Sequence, residues 1–177
     1  MKQPTFNSSD EEYELELKKV EKLFKKYYDS LIHYAYRYVN DISIAEDIIQ
    51  DIFFQLWKNR HSIRFGVNIK TYLFNSVKNN CLKYLDRKKT RDNYKMQQVE
   101  IEYDIYSPDH IMLRKEMQES VQQAVNSLPP KRYEIFCMSR FDGLSYREIA
   151  SILDISIKTV ETQISRALKV IRKRVKF

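Results

Sequence analysis

The sequence contains little glycine, proline or cysteine: two glycines, four prolines and two cysteines among 177 residues. So few turn-forming residues exclude a sheet-rich fold with many tight turns, whereas Leu, Ile, Lys, Glu and Tyr are abundant. We therefore predict an all-α protein. The length suits one large domain or two small ones.

The sequence also lacks any run of about eighteen apolar residues, which a membrane-spanning helix would need. Met1–Glu16 is polar and acidic, unlike a signal peptide. Cys81 and Cys137 lie in apolar helical patterns, far apart in sequence. Reduced cysteines in a protein core are typical of the cytoplasm, which is the location we predict, with no membrane insertion.

Residues arranged for enzymatic chemistry are missing as well. The three histidines show no metal-ligand spacing with cysteines or with one another. The sequence has no Gly-rich phosphate loop and no convincing Ser/His/Asp or Cys/His arrangement. We predict no metal, no cofactor and no catalytic site.

The net charge of +7 is unevenly distributed. Residues 20–92 carry +6 and residues 115–177 carry +5, whereas residues 1–19 and 93–114 carry −2 each. Two basic blocks separated by an acidic stretch predict two small helical domains that face nucleic acid, joined by a flexible linker. We place a polar N-terminal segment at 1–19, the first domain at 20–92, the linker at 93–112 and the second domain at 113–177.

Apolar periodicity predicts the helices within these domains. In the first half they cover about Glu14–Val39, Ser43–Asn59 and Ile69–Lys89, making four helices if the first is broken near Tyr28. In the second half one helix runs from about Leu113 to Ser127 and another covers Lys131–Phe141.

Residues 143–172 have the pattern of a DNA-binding helix-turn-helix. Ser145 and Glu148 have the spacing of a capping box, which opens the first helix. Asp154-Ile155 supplies a tight turn, and Ser156 is placed to cap the second helix.

The second helix has one apolar and one basic side. Its predicted buried stripe consists of Val160, Ile164, Ala167, Leu168 and Ile171. Its opposite side carries short hydrogen-bonding side chains followed by cations, which suits base edges first and phosphates further along: Lys158, Thr159, Thr162, Ser165, Arg166, Lys169 and Lys173. The simpler alternative is a helical hairpin with a solvated basic side.

The predicted second helix of the first domain exposes an aromatic residue among acidic ones. Phe54 points away from the apolar stripe, beside Asp47, Gln50 and Asp51, with Trp57 on the flank. An aromatic side chain in a polar ring is typical of a protein-binding hot spot. Two alternatives are that Phe54 packs under the N-terminal segment, or that the two carboxylates form a metal or acid–base pair.

The predicted third helix has a different outward side. Its inward positions are Leu73, Phe74, Val77, Cys81, Tyr84 and Leu85, and its outward positions are Tyr72, Asn75, Ser76, Asn79 and Lys83. An aromatic ring, amides and a cation suit single-stranded DNA, and the basic run from Arg87 to Arg91 suits phosphate. The alternative is an ordinary solvated helix face.

Three segments together resemble the extracytoplasmic-function (ECF) subfamily of bacterial RNA polymerase sigma factors. Residues 45–57 (AEDIIQDIFFQLW) are similar to the polymerase-binding segment of that family. Residues 72–79 (YLFNSVKN) are similar to its promoter-melting helix, and residues 128–172 to its region 4. The tyrosine- and lysine-rich style, with Asn79-Asn80-Cys81, is similar to members from Bacteroidetes.

The resemblance implies a role for each segment, in a protein that binds core RNA polymerase and directs promoter-specific initiation without being an enzyme. Polymerase binding, through the clamp helices of the β′ subunit, would involve Asp47, Gln50, Asp51, Phe54 and Trp57. The −10 promoter element would be bound by Arg64, Phe65, Asn68, Tyr72, Asn75, Asn79, Lys83, Arg87 and Lys88, the loop His61–Asn68 with Asn79 capturing a flipped base. The −35 element would be read by the outward residues of the second helix of the helix-turn-helix, from Lys158 to Lys173. The β flap and an anti-sigma factor are further implied partners.

This chain departs from the family at two positions. Tyr72 stands where the family usually has Trp, which preserves a stacking ring. Lys83 stands where Asp is common, which changes the local contacts of that helix.

The competing interpretation is a free-standing helix-turn-helix regulator that binds palindromic DNA as a dimer.

Overall fold

The computed structural model describes residues 8–61, 68–92 and 121–175, which form helices and the turns between them, with no strand in these ranges. The chain divides between Gln97 and Gln98 into two compact units. The predicted all-α class is confirmed. The predicted linker and two predicted DNA-binding residues, Arg64 and Phe65, lie outside the described residues, and the exact domain limits stay predictions.

The first unit contains α1 (Ser8–Val39), α2 (Ile42–Lys58) and α3 (Ile69–Asp92), with α1 packed along both other helices. A sharp turn joins α1 to α2, where Asn40 adopts a left-handed φ of 50° that asparagine tolerates better than most residues. Asp41 then caps α2 by accepting a hydrogen bond from the Ile44 amide at 3.2 Å. The most deeply buried side chains come from all three helices: Leu31, Tyr34, Ala35, Ala45, Ile49, Leu56, Leu73, Phe74, Val77 and Cys81.

α1 is longer than the sequence predicted. It begins at Ser8, inside the predicted polar N-terminal segment, and continues without interruption, so the predicted break near Tyr28 is wrong. No glycine or proline occurs within the helix. The Tyr28 ring packs 4.6 Å from the ring of Phe24, which itself lies 5.0 Å from Phe53 of α2. These aromatic contacts support the helix where a break was expected.

The second unit contains helical residues 121–126, then α4 (Pro130–Arg140), α5 (Tyr146–Leu153) and α6 (Ile157–Arg174). Pro130 opens α4, a position where its fixed φ favours the helix and its missing amide hydrogen costs nothing. α6 packs against both α4 and α5. The deepest core side chains of this unit are Ala124, Val125, Tyr133, Cys137, Met138, Ile149, Ile152, Val160 and Ala167.

Candidate protein and nucleic-acid interfaces

α2 separates an apolar side from an exposed acidic-aromatic one. Its buried residues are those that the periodicity predicted: Ala45, Ile48, Ile49, Ile52, Phe53 and Leu56. Asp47, Gln50 and Asp51 are exposed, and 61% of Phe54 is exposed. We call these four residues the α2 face. No described part of the N-terminal segment covers Phe54, so this ring is available to a partner.

Trp57, which the sequence placed on the flank of the α2 face, is half-buried. The ring of Tyr13, from α1, meets the Trp57 ring edge-on at 5.2 Å. The Arg60 guanidinium lies 4.2 Å from the centre of the Trp57 ring and donates through Nε to Glu16 Oε2 at 2.8 Å. Glu16 also lies 3.0 Å from Nδ1 of His61. The early turns of α1 therefore hold the C-terminal end of α2, and this contact covers part of Trp57.

Replacing Glu16 with glutamine is expected to destabilise the first unit by about 1–2 kcal/mol, because the largely buried Arg60 guanidinium loses its anionic partner. The exposed pair of Glu14 with Lys18 provides a matched control, and Glu14→Gln should change stability little. Chemical denaturation followed by the fluorescence of Trp57, the single tryptophan, measures both. Equal midpoints for the two variants would contradict a stabilising role for Glu16.

Two pKa shifts in the first unit come mainly from burial. Burial raises the pKa of the Cys81 thiol to about 12, and its Sγ lies 4.0 Å from the carbonyl oxygen of Ala35. Burial also raises the pKa of Tyr28, and the carboxylates of Glu46 and Asp29 raise it further. Cys81 is therefore a protonated core residue rather than a reactive thiolate. Cys137 is likewise a buried residue outside any disulfide.

α3 presents a polar side with one exposed aromatic ring. Tyr72 is 44% exposed, Asn79 and Lys83 are exposed, and Asn75 and Ser76 are half-buried. These five residues form the α3 face. The inward residues Leu73, Phe74, Val77 and Cys81 are buried, whereas Tyr84 and Leu85, also predicted inward, are only half-buried. Asn68, Arg87 and Lys88 are exposed at the two ends of the helix.

The helix-turn-helix frame is built by local hydrogen bonds. Ser145 accepts from the Glu148 amide at 3.3 Å, and the Glu148 carboxylate accepts from the Ser145 amide at 2.7 Å, completing the predicted capping box. Asp154 ends α5 in the left-handed conformation, with φ 54° and ψ 50°. Ser156 then caps α6 by accepting from the Thr159 amide at 3.0 Å. The turn and both caps are where the sequence predicted them.

The outward residues of α6 form a third surface, the α6 face. Six of its residues are exposed and Thr162 is half-buried; the seven are Lys158, Thr159, Thr162, Ser165, Arg166, Lys169 and Lys173. Two of its hydroxyls already have partners: Thr159 Oγ1 lies 2.8 Å from Ser156 Oγ, and Thr162 Oγ1 donates to the Lys158 carbonyl at 2.8 Å. On the opposite side, Val160, Ile164 and Ala167 are buried, whereas Leu168 and Ile171 are half-buried.

A contact between helices fixes the orientation of α6. Arg132 of α4 donates through Nε to Oε1 of Gln163 on α6 at 3.1 Å. Gln163 lies outside the α6 face, so this contact holds the helix without occupying its outward side. Sequence reasoning missed it because the two residues are 31 positions apart.

Sequence reasoning also passed over exposed residues within these surfaces. Glu161 is exposed on α6, one turn after Lys158, and Leu82 and Asp86 are exposed beside the α3 face. The helical periodicity that identified their neighbours would have found them too. Carboxylates and aliphatic side chains, unlike rings, amides and cations, do not by themselves indicate a nucleic-acid surface.

Within residues 8–61, 68–92 and 121–175, no three His, Cys, Asp or Glu side chains come together as a metal ion would require. No helix of the described part is both long and apolar enough to cross a membrane. The three helical faces therefore remain the candidate sites.

Two family models match the chain in the order of these surfaces. The model of sigma-70 region 2 matches residues 23–91, which include the α2 and α3 faces. The model of sigma-70 region 4 matches residues 118–171, which include the helix-turn-helix. The chain belongs to the sigma-70 family, as an ECF sigma factor. A sigma factor directs promoter-specific initiation by RNA polymerase, which is the function that the two regions together support.

Curated relatives agree over most of the length of this sigma factor. It is 28% identical over 160 residues to the ECF RNA polymerase sigma factor SigW of Bacillus subtilis, covering 85% of each chain. It is 27% identical over 160 residues to the RNA polymerase sigma-H factor of Pseudomonas aeruginosa, covering 85% of this chain and 83% of the relative. It is also 27% identical over 162 residues to the ECF RNA polymerase sigma-E factor of Escherichia coli K12, covering 86% and 84%.

Solved structures share the fold. The sigma factor RpoE of Bartonella quintana, in complex with the anti-sigma factor NepR, matches with a TM-score of 0.66 and 20% identity. That match covers 86% of this chain and 94% of the other. CnrH, in complex with the cytosolic domain of CnrY, matches with a TM-score of 0.55 and 18% identity, covering 91% and 94%.

Proposed function

We propose that the α2 face binds the clamp helices of the polymerase β′ subunit, that the α3 face opens the −10 element, and that the α6 face reads the −35 element. The exposed ring of Phe54 among carboxylates carries the first assignment, because an aromatic side chain in a polar ring is typical of a protein-binding hot spot. The sigma factor would act in the cytoplasm and have no catalytic activity of its own.

The chemistry of the α2 face favours a cationic partner with an apolar pocket. Asp47 and Asp51 lie one turn apart on α2 and repel each other mildly in the free helix. Neither forms an ion pair with another described residue. A basic partner surface would relieve that repulsion, while Phe54 would fill a pocket at the centre of the contact. Trp57, covered by Tyr13, would contribute through its remaining exposed edge.

The α3 face suits one unpaired strand of DNA. The Tyr72 ring is exposed enough to stack on a base, and the Asn79 amide can donate to and accept from a base edge. Lys83, Arg87 and Lys88 supply positive charge along the same helix toward its C-terminal end. We propose that the loop His61–Asn68, with Asn79, holds the flipped base.

The α6 face suits the major groove of duplex DNA. Lys158 and Thr159 stand at the start of α6, where a recognition helix usually meets base edges. Lys169 and Lys173 lie further along, where phosphates are nearer. Since the Thr159 and Thr162 hydroxyls are engaged within the helix, we assign most of the base reading to Lys158, Ser165 and Arg166.

The remaining partners follow from the family. We propose that the second unit contacts the polymerase β flap and that an anti-sigma factor holds the chain inactive. The structural neighbour RpoE was solved in complex with the anti-sigma factor NepR. We also infer a Bacteroidetes-like origin from the tyrosine-rich style around Asn79-Asn80-Cys81. The direct test adds the purified chain to core polymerase on bacterial DNA and maps the start sites from the 5′ ends of the transcripts. The DNA upstream of these start sites should share −10 and −35 elements. Transcripts that start without a common upstream sequence would contradict the proposal.

Replacing Asn79 with alanine is expected to impair promoter opening more than promoter binding. Asn79 is exposed on the α3 face, so its loss removes contacts to the separated strand and leaves the core intact. Open complexes should fall about tenfold, the scale of one lost base contact, while closed-complex affinity changes little. Permanganate footprinting measures the amount of open complex, and gel shift on duplex DNA measures the closed-complex affinity.

The control for Asn79 is the exposed Lys58 at the end of α2, whose replacement by alanine should leave opening unchanged. A template with a pre-melted bubble should restore transcription by the Asn79 variant. Equal losses in binding and opening would contradict the assignment.

A further inference from the structure

Glu161 is the only acidic side chain of α6, whose other charged residues are all basic: Lys158, Arg166, Lys169, Arg172, Lys173 and Arg174. It is exposed. Lys158 lies three residues before it and Ser165 four residues after it, so Glu161 stands on the helix surface between two members of the α6 face. A carboxylate is thus presented on the side of the helix that is otherwise built to attract DNA.

The fold itself does not account for this carboxylate. Glu161 forms no ion pair or hydrogen bond with any described residue. The positions four residues away are occupied by Ile157 and Ser165, and Lys158, three residues before Glu161, forms no ion pair with it. Glu161 also lies beyond the first turn of α6, where the helix dipole favours an acidic side chain little.

A carboxylate affects DNA binding in one of two ways, depending on where it meets the DNA. Near phosphates it weakens binding to every sequence, because it cancels part of the charge of the neighbouring cations. In the major groove it can only accept hydrogen bonds. Cytosine offers its N4 amino group there, whereas guanine presents O6 and N7 and thymine presents O4, which are all acceptors. Adenine offers an amino group beside the acceptor N7.

We propose that Glu161 is a specificity-determining residue that selects cytosine at one position of the upstream promoter element and rejects guanine and thymine there. The inference rests on the proposed entry of the α6 face into the major groove. Glu161 stands one turn after Lys158, so the cytosine should neighbour the bases that Lys158 and Thr162 approach.

The test uses holoenzyme, reconstituted from core polymerase and the full chain, on a promoter library with a randomised upstream element. Each promoter carries a barcode downstream of its start site, so that sequencing of the barcodes in the transcripts gives the preference at each position of the upstream element. The wild-type chain should favour cytosine over guanine about tenfold at one position. Glu161→Ala should flatten that position alone, and Glu161→Gln should move its preference to adenine, since glutamine pairs with N6 and N7 of adenine.

Asp154→Asn is the matched control. It removes one exposed negative charge in the turn before α6, and asparagine tolerates the left-handed backbone of that position. This variant should strengthen binding to all sequences slightly and leave the base preferences unchanged. A similar uniform gain for Glu161→Ala, with all preferences intact, would overturn the inference.

Failure of the inference is distinguishable from failure of the proposed function. If the wild-type chain selects an upstream element that Arg166→Ala alters but both Glu161 variants leave unchanged, only the role of Glu161 is wrong. If the wild-type chain shows no preference anywhere in the randomised element, the reading role of α6 is wrong, and the inference fails with it.

Discussion

Replacing Phe54 with alanine is expected to weaken binding to core polymerase by about 1–3 kcal/mol, the range of a hot-spot aromatic residue. The ring is 61% exposed, so its removal from the free protein leaves no cavity in the core. Polymerase affinity should therefore fall while the stability of the first unit stays nearly constant. Fluorescence anisotropy of a labelled chain, titrated with core polymerase, measures the affinity.

Ile42 provides the control for an exposed apolar side chain on the same helix. It is 51% exposed at the start of α2, about 18 Å along the helix axis from Phe54. Ile42→Ala should bind polymerase like the wild type. If Phe54→Ala left the affinity unchanged and lowered the unfolding temperature by many degrees, Phe54 would belong to the folding core and the docking role would be wrong.

The α2 face could be predicted from sequence because its pattern is uninterrupted. Six apolar residues recur with helical spacing over Ile42–Lys58, and each of them is buried. Such a stripe fixes the rotation of the helix, and so the outward direction of Phe54 follows without knowledge of the partner helices. The capping box at Ser145 was equally predictable, because every atom of it lies within one turn.

Trp57 could not be predicted in the same way, because its cover comes from far away in the sequence. Tyr13 and Glu16 lie close to the predicted start of the first helix, in a stretch whose polar composition gave no sign of a contact with α2. The hydrogen bond to Glu16 comes from Arg60, which lies 44 residues later in the sequence. Local patterns contain no information about such a contact.

α6 shows a third limit of periodicity. The pattern placed Leu168 and Ile171 in the same stripe as Val160, although both are only half-buried. A stripe reports which side of a helix is apolar, but burial also requires a neighbouring helix at that point. The pattern also predicted that the Thr159 and Thr162 hydroxyls could bind DNA. In the structure, the Thr159 hydroxyl is paired with the capping Ser156 hydroxyl, and the Thr162 hydroxyl donates to the Lys158 carbonyl.

Replacing Arg166 with alanine is expected to cost about 1–3 kcal/mol of promoter affinity and to relax the preference at one base pair. Arg166 is exposed on the α6 face and forms no ion pair with a described residue, so its guanidinium is free to approach DNA. Only a bidentate contact to guanine O6 and N7 would make the loss depend on sequence.

Lys173 lies about 10 Å further along the helix axis and provides the contrast. It is exposed near the end of α6, where the helix would leave the bases and meet phosphate. Lys173→Ala should weaken all sequences alike. It should also reduce the slope of log affinity against log salt concentration by about one unit.

Holoenzyme binding to single-base variants of the upstream element, measured across a salt series, separates these two roles. If Arg166 reads a base, Arg166→Ala should lose the base preference at one position of the upstream element. At every other position its base preference should stay that of the wild type. Attraction to phosphate predicts the same loss on every variant, together with a smaller salt slope. If Arg166→Ala behaved in this second way, Arg166 would be a phosphate contact, and the reading of the upstream element would rest on Lys158 and Ser165.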